Sequence, residues 1–540
     1  MKELRELTSK EIENILDFIK PNRSIPKEAA LAIVSNMKNR FRSQLVGQKI
    51  YPELIPQLKN LLEKNYKESL IQPGESVGII AAQSIGEKNT QSSVSFNEFI
   101  LIKQGDDIKK IKIGEFIDDY IDKFGKVKLT NGSEIQICKD VYVLTVSQNE
   151  KIEWKEINEV SRHPPHGDLV KLTTESGRNI ITTFSHSHLK KDLRKIIPVL
   201  GSELKVGDQI PVIKNSPIPQ FAEELKEFDI SEYITGSVGP REYDPDSDDD
   251  TNAEKDYFFF QNQRIKRYIK NDELFSWFIG IFLTCGKFDD HGITITSSDN
   301  SVEFQNNLDK FCDDYDIHKD DISNHILSIF GMKPYNYIYY LNSKILKEFL
   351  IKICGPDKKI PDFIFGCNKN IVKSLLYTYF RQNKFRKDQS FRLKDISFLL
   401  TYFGLYSCIE SEKLFIHTSS LKEFSSQFGF EMTEINIKNF TNNIYNTSDS
   451  EFLKNVDRNT KRNIPMDDLK YYEQLMSSDV VWESIVKLEL VTESNYLDKY
   501  GTHVYDFSIS GNETFALLSG IVVHNTLNTL KKGKLYQKYS

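Results

Sequence analysis

The sequence predicts a multidomain chain: a helical flanking segment, an all-β unit, and an α/β insert that interrupts the β unit. Three observations carry this. Residues 1–72 show helical apolar spacing, as at Leu54, Leu58, Leu61 and Leu62, up to Pro73-Gly74. From Phe99 to about Ile213 the texture changes to short β-branched runs, FILIK, VYVLTV, LVKLTT, NIITT, IIPVL and QIPVI. The β texture then returns only near Val480, in VWESIVKLELV, HVYDFSIS, ETFALL and GIVVHN.

Each element has its own reason. The stretch SVGIIAAQSIGE after Pro73-Gly74 is small and aliphatic throughout, which predicts a helix buried on most faces. Turn signals at Asn131-Gly132, Ser176-Gly177 and Gly207-Asp208 separate the β runs. Residues 240–250, PREYDPDSDDD, have no apolar period and read as a solvated linker. Between about Asn271 and Phe430, helical patterns alternate with the β-like runs GITITSS, YNYIYYL, SFRLK and KLFIHTS, as in an α/β domain. These textures, together with what the junction resemblances below imply for 92/93 and 525/526, set the boundaries 1–92, 93–250, 251–430, 431–525 and 526–540.

Composition excludes several classes. A length of 540 residues is far beyond a single small module. A mean hydropathy of -0.44 and the absence of any uninterrupted apolar run of about 18 residues argue against membrane spanning. The formal net charge of -6 confines any nucleic-acid surface to a local patch. Cys138, Cys285, Cys312, Cys354, Cys367 and Cys408 form no CxxC pair, which argues against a zinc knuckle or disulfide framework and suits an intracellular, reducing location.

The flanks carry the first motif. Residues 71–91, IQPGESVGIIAAQSIGEKNTQ, resemble the lead-in to the trigger loop in the largest subunit of cellular-type RNA polymerases. That family continues into Thr-Leu-Asn-Thr, which here reappears as Thr526-Leu527-Asn528-Thr529, so that removing 93–525 rejoins one motif. The next family residues are Phe-His, whereas this chain has Leu530-Lys531.

At the two junctions the residues resemble those of an intein, a self-excising protein splicing element. Ser93 opens SVSFNEFILIK, similar to the first intein block, and GIVVHN before Thr526 is similar to the last. The chemistry needs these types. A hydroxyl at Ser93 can attack its own preceding carbonyl, and a hydroxyl at Thr526 can then take over the acyl group. The Asn525 amide can close a succinimide on its own backbone carbonyl, and His524 can protonate the leaving amine or polarise that carbonyl. The run ITTFSHSHL resembles the internal T-x-x-H block, matched by Thr183 and His186, with His188 as the competing histidine; such a pair assists the scissile amide. HVYDFSIS resembles the penultimate block, where Asp506 maps onto an acid that assists nucleophile activation; where many inteins have a histidine next, this chain has Asn512-Glu513-Thr514. The fold implied is an all-β Hint-type horseshoe.

The insert resembles a LAGLIDADG homing endonuclease with two signature helices. The first copy is FIGIFLTCG, ending at Gly286; the second, after IPDFIFG, is LLYTYFRQNK. The resemblance implies helix packing through Gly280 and Thr378, and a cation-binding acid at each helix end. Those ends are Cys285 and Asn383, poor ligands for magnesium, so DNA cutting is expected to be lost and Mg2+ is relevant only to an active insert. Lys266, Arg267, Lys270, Lys384, Arg386 and Lys387 are candidates for a DNA-binding face.

The expectation is thus a cofactor-independent splicing precursor with no metal site. Its partners would be DNA through the insert and other polymerase subunits through the host segment, with no membrane. The alternative is a polymerase fragment carrying an inert insertion domain.

Overall fold

The computed structural model describes residues 5–20, parts of 31–46, 49–68, 93–217, 227–234, 257–322, 337–438 and 477–524, with short gaps. The segment SVGIIAAQSIGE, the linker at 240–250, Lys384, Arg386, Asn525 and Thr526 lie outside the described residues. The chain divides into two compact units, Met1–Asn89 and Thr90–Ser540.

In the first unit, helix α1 (Ser9–Ile15) opens with a capping box between Thr8 and Glu11. Helix α2 (Ile55–Glu68) turns Ile55, Leu58 and Leu62 toward a core of Leu7, Ile12, Ile15, Leu16 and Ile19. Leu54 and Leu61 are exposed.

The second unit is built on antiparallel strands in which alternate or successive apolar residues face a core. Those that build the site are, in chain order, β1 (Val94–Ser95), β2 (Phe99–Gln104), β3 (Asp107–Lys112), β4 (Tyr142–Val146), β5 (Ile152–His163), β6 (Leu169–Thr174), β7 (Asn179–Thr183), β8 (Ser187–Asp192), β9 (Lys195–Leu200) and β10 (Gln209–Ile213). All six β-branched runs of the first block are therefore strands. A long sheet begins at β10 and ends in the order β7-β1-…-β5-β4-β2-β3, its interior completed by two strands from the far end of the sequence.

Those returning strands bring the ends together. Between them and β10 lies the insert, whose helices include α3 (Glu273–Cys285), α4 (Lys369–Asn383) and α5 (Ser390–Thr401), and whose strands include β11 (Ile293–Ser297), β12 (Tyr337–Asn342), β13 (Ser407–Glu410) and β14 (Lys413–His417). The returning strands are β15 (Val480–Val491), β16 (Val504–Ile509), β17 (Thr514–Ala516) and β18 (Val522–His524). Strand β15 sits between β10 and β6, and β16 between β1 and β5. A second sheet runs β9-β8-β18-β17.

SFRLK is helical, as the first part of α5, and this corrects the β-like reading. The helix is buried on nearly every side, including Leu393, Ile396, Phe398, Leu399 and Leu400. A helix without a solvent face has no clear 3.6-residue stripe, and a five-residue window of it passes for alternation.

Helices α3 and α4 pack face to face. A Cβ on Gly280 would stand 2.9 Å from both the Leu375 carbonyl oxygen and the Thr378 Cβ. Ser276 Oγ donates to the Ile371 carbonyl and Ser374 Oγ to the Glu273 carbonyl, each at 2.7 Å. The offset from Ser276 to Ser374 equals that from Glu273 to Ile371, from Gly280 to Thr378 and from Cys285 to Asn383, so the two hydrogen bonds are mates across a pseudo-two-fold axis.

The insert shares its core with the splicing strands: Leu101, Ile108 and Leu144 belong to the same cluster as Phe278, Leu375 and Ile396. Polar contacts cross as well. Lys110 Nζ of β3 lies 2.6 Å from Asp395 Oδ2 of α5, with both side chains buried. Arg178 pairs with Glu483, bonds the Ser407 carbonyl at 2.9 Å and reaches Ser397 Oγ at 3.0 Å. At the β6–β7 turn the Ile409 N–H donates to the Ser176 carbonyl at 2.9 Å. A Cβ on Gly177, whose φ is +82°, would stand 2.2 Å from the Ile409 carbonyl, so both the turn and the contact require glycine there. Among the described residues no helix is long and apolar enough to cross a membrane.

Candidate active site

Ser93 immediately precedes β1 and is completely buried. Its N–H donates to Thr183 Oγ1 at 3.2 Å, and the Thr183 N–H donates back to the Ser93 carbonyl at 3.0 Å. The Thr182↔Val94 pairing of β7 with β1 fixes this register. Thr183 Oγ1 thus stands at the backbone nitrogen of Ser93. Ser185 Oγ donates to the same hydroxyl at 3.2 Å.

His186 lies in the turn between β7 and β8, its N–H bonded to the Thr183 carbonyl at 3.0 Å. Its ring is fully buried, and neither ring nitrogen has a hydrogen-bond partner among the described residues. Burial holds its pKa well below the usual histidine value, with the His188 and His524 rings adding to the effect. An unpaired buried imidazole is costly, and such groups concentrate at functional sites. His188 differs. It lies on β8, its Nε2 pairs with Thr182 Oγ1 at 3.1 Å, and burial pushes its pKa down to about 3. The two rings meet edge to face, with centroids 4.9 Å apart.

Asp506 is buried on β16. That strand pairs with β1 through Val504↔Ser95 and Tyr505↔Val94, and one more step of the register sets Asp506 across from Ser93. His524 ends β18, which pairs with β8 through Val523↔His188. Its Nε2 lies 3.9 Å from Glu513 Oε2. Strands far apart in sequence therefore collect Ser93, Thr183, His186, Asp506 and His524. Asn525 and Thr526 directly follow His524 in the chain and lie outside the described residues.

Sequence reasoning missed His163. It ends β5, is buried, and its Nε2 lies 2.8 Å from Ser93 Oγ. The available signal was weak: a histidine closing a long strand, before Pro164-Pro165-His166.

The insert's helix ends form no such cluster. Cys285 Sγ donates to Gln382 Oε1 at 3.5 Å, and Asn383 Nδ2 donates to the Tyr379 hydroxyl at 3.0 Å. A thiol and an amide committed as donors do not fit a hard divalent cation. Of the candidate basic groups, Arg267 is held by Asp229 at 2.7 Å and Lys387 faces Glu412 at 3.3 Å.

A β-built domain whose first strand pairs with one of its last, with a buried hydroxyl ahead of the first of them, is the architecture of a self-processing domain. The chain belongs to the intein splicing domain family, whose model matches residues 100–525. It is 31% identical to the DNA-directed RNA polymerase subunit Rpo1C of Methanocaldococcus jannaschii, over 93% of this chain and 63% of that protein. To transcription initiation factor IIB of the same organism it is 25% identical, over 81% of this chain and 50% of the relative. The chain thus spans between half and two thirds of the length of these relatives. Among solved structures, the transcription factor IIB Mvu mini-intein is 33% identical, covering 24% of this chain and 71% of its own with a TM-score of 0.22. The KlbA intein precursor of Methanococcus jannaschii is 27% identical, covering 23% and 69% with a TM-score of 0.21.

Proposed function

We propose that the chain is an autocatalytic splicing precursor that excises residues 93–525 and joins 1–92 to 526–540. The observation that carries this is the Ser93 N–H held on Thr183 Oγ1 at the junction where the host motif is split. Ser93 Oγ attacks the Ser92 carbonyl carbon, and Thr183 steadies the amide nitrogen while His186 protonates it. Asp506, across from Ser93, assists the nucleophile and times the later steps. The Thr526 hydroxyl takes the acyl group from Ser93. Asn525 then closes on its own carbonyl with His524 as proton donor, and the freed amine of Thr526 recaptures the acyl group. No step calls for a cofactor.

The host segment is, in this reading, part of an RNA polymerase largest subunit that assembles with other subunits. The insert is a LAGLIDADG-type endonuclease without its metal-binding acids. The pseudo-symmetric serine–carbonyl pairs and the Gly280–Thr378 contact support that assignment. The thiol at Cys285 and the amide at Asn383 support the loss of cutting.

Intact-mass measurement on freshly expressed chain tests the main reading. The expected species are the excised 93–525 segment and the ligated product. Full-length chain alone after prolonged incubation, with no hydroxylamine-sensitive ester after Ser92, would instead indicate an inert insertion in a polymerase fragment.

A further inference from the structure

We propose that His163 is the general base of the first step, taking the hydroxyl proton of Ser93 as that oxygen attacks the preceding acyl carbon. The assignment rests on Ser93 being the first nucleophile and adds a catalytic residue outside the splicing motifs read from the sequence.

The tautomer makes the argument. His163 Nδ1 lies 2.7 Å from the Pro164 carbonyl oxygen, which can only accept, so Nδ1 carries the proton. In the neutral ring Nε2 then has a free lone pair, and the Ser93 hydroxyl 2.8 Å away must donate to it. This is the nucleophile–base–orienter arrangement, with a backbone carbonyl as the orienting group. Both side chains are buried, so water does not compete for the hydroxyl proton. The base form is also the resting form. Burial, with the His166 and His503 rings nearby, pushes the His163 pKa down to about 4.

Asp506, across from Ser93 on β16, assists the nucleophile from the neighbouring strand, while His163 Nε2 is the nitrogen 2.8 Å from the hydroxyl itself. Thr183 is engaged at the Ser93 nitrogen, and His186 sits in the turn that follows Thr183. The two sides of the scissile bond are thereby divided between two β-strand ends, β5 serving the oxygen and β7 the nitrogen. In the step, the Ser93 Oγ–H bond breaks and its proton passes to Nε2, while Oγ bonds to the Ser92 acyl carbon. The Ser92–Ser93 carbon–nitrogen bond then breaks with its electron pair on nitrogen, which gains one proton. The proton on His163 Nε2 makes good the one that His186 delivers to nitrogen, both rings return to neutral, and the step is a net isomerisation from amide to ester.

The test uses full chain carrying Asn525→Ala, with ester formation read by hydroxylamine cleavage after Ser92. His163→Ala and His163→Gln are each compared with the parent, with and without Ser93→Cys. The expected result is a loss of about 10²-fold or more with Ser93, typical of general-base removal. With Ser93→Cys the loss should shrink below about 10-fold, because a thiol of pKa about 8.5 ionises without that help. Cleavage at intact Asn525 in the same His163 variants reports a folded domain. Equal losses in both backgrounds would make His163 a packing residue, and no loss would remove it from the step; either overturns the proposal. A parent that forms no ester overturns the splicing reading itself, whereas a competent parent matched by both His163 variants overturns only the base assignment.

Discussion

The hydroxyl of Thr183 accepts the backbone N–H of Ser93 at 3.2 Å, while the carbonyl of Ser93 accepts the backbone N–H of Thr183 at 3.0 Å. This reciprocal pair ties Ser93, just ahead of β1, to the end of β7. Thr183→Val keeps the side-chain volume and removes the acceptor. Losing that hydrogen bond costs about 1–3 kcal/mol, so ester formation should slow by roughly 5- to 150-fold. Hydroxylamine cleavage after Ser92 measures it, and an unchanged rate would show that the contact does not carry into the transition state.

The two junctions should separate by mutation. Asn525→Ala is expected to abolish C-terminal cleavage and leave the Ser93 ester, whereas His186→Ala should suppress the ester first. Fragment masses distinguish the two, and identical fragment patterns would contradict the division of labour.

Acid should destabilise the splicing domain through its buried histidines. The folded pKa values of His163 and His188, about 4 and about 3, lie below the ordinary 6.5. Between these values the unfolded chain binds protons that the folded chain does not. The contribution is full above about pH 6.5 and is lost as pH falls through the folded values, at up to about 1.4 kcal/mol per pH unit for each histidine. Urea unfolding of a processing-blocked chain from pH 7 to pH 5 should show this decline, and His188→Gln should flatten its slope.

Lys110→Met should leave Asp395 buried without its cation. Removing one partner of such a pair costs about 3–5 kcal/mol where the carboxylate is ionised. Burial already pushes Asp395 up to about 6, despite Lys110 lowering it. At pH 5 the acid is protonated and the loss should be much smaller than at pH 8. Equal losses at the two pH values would show that the ion pair is not the source.

Restoring acids tests the insert. Cys285→Asp with Asn383→Asp, given magnesium, is expected to yield site-specific cleavage of DNA carrying the uninterrupted host junction, where the parent yields none. Cleavage by the parent would show that another acid serves.

Much of this was legible in the sequence because strands declare themselves locally. Each β-branched run before Ile213 and after Val480 is a strand, since its residues needed no distant partner to be recognised. Thr183 and His186 were legible through their spacing within one turn. His163 was not, because its meaning comes from β1 and β5 ending on either side of β16, a side-chain contact across 70 residues that leaves no mark near either residue. The SFRLK segment failed for a related reason: its all-round burial is supplied by neighbours distant in sequence.

Gly177 has an evolutionary corollary. Ile409 rests on that glycine so closely that the hairpin tip is shaped by the insert as much as by its own turn. A descendant that dropped the insert would inherit a bare tip, a stranded Arg178–Glu483 pair and an uncovered flank at Ile108. Erosion by single substitutions leaves those seams closed. Excision opens all of them at once, so the gene is easier to silence than to shorten, and an engineer trimming it to a minimal splicing element must rebuild that seam residue by residue.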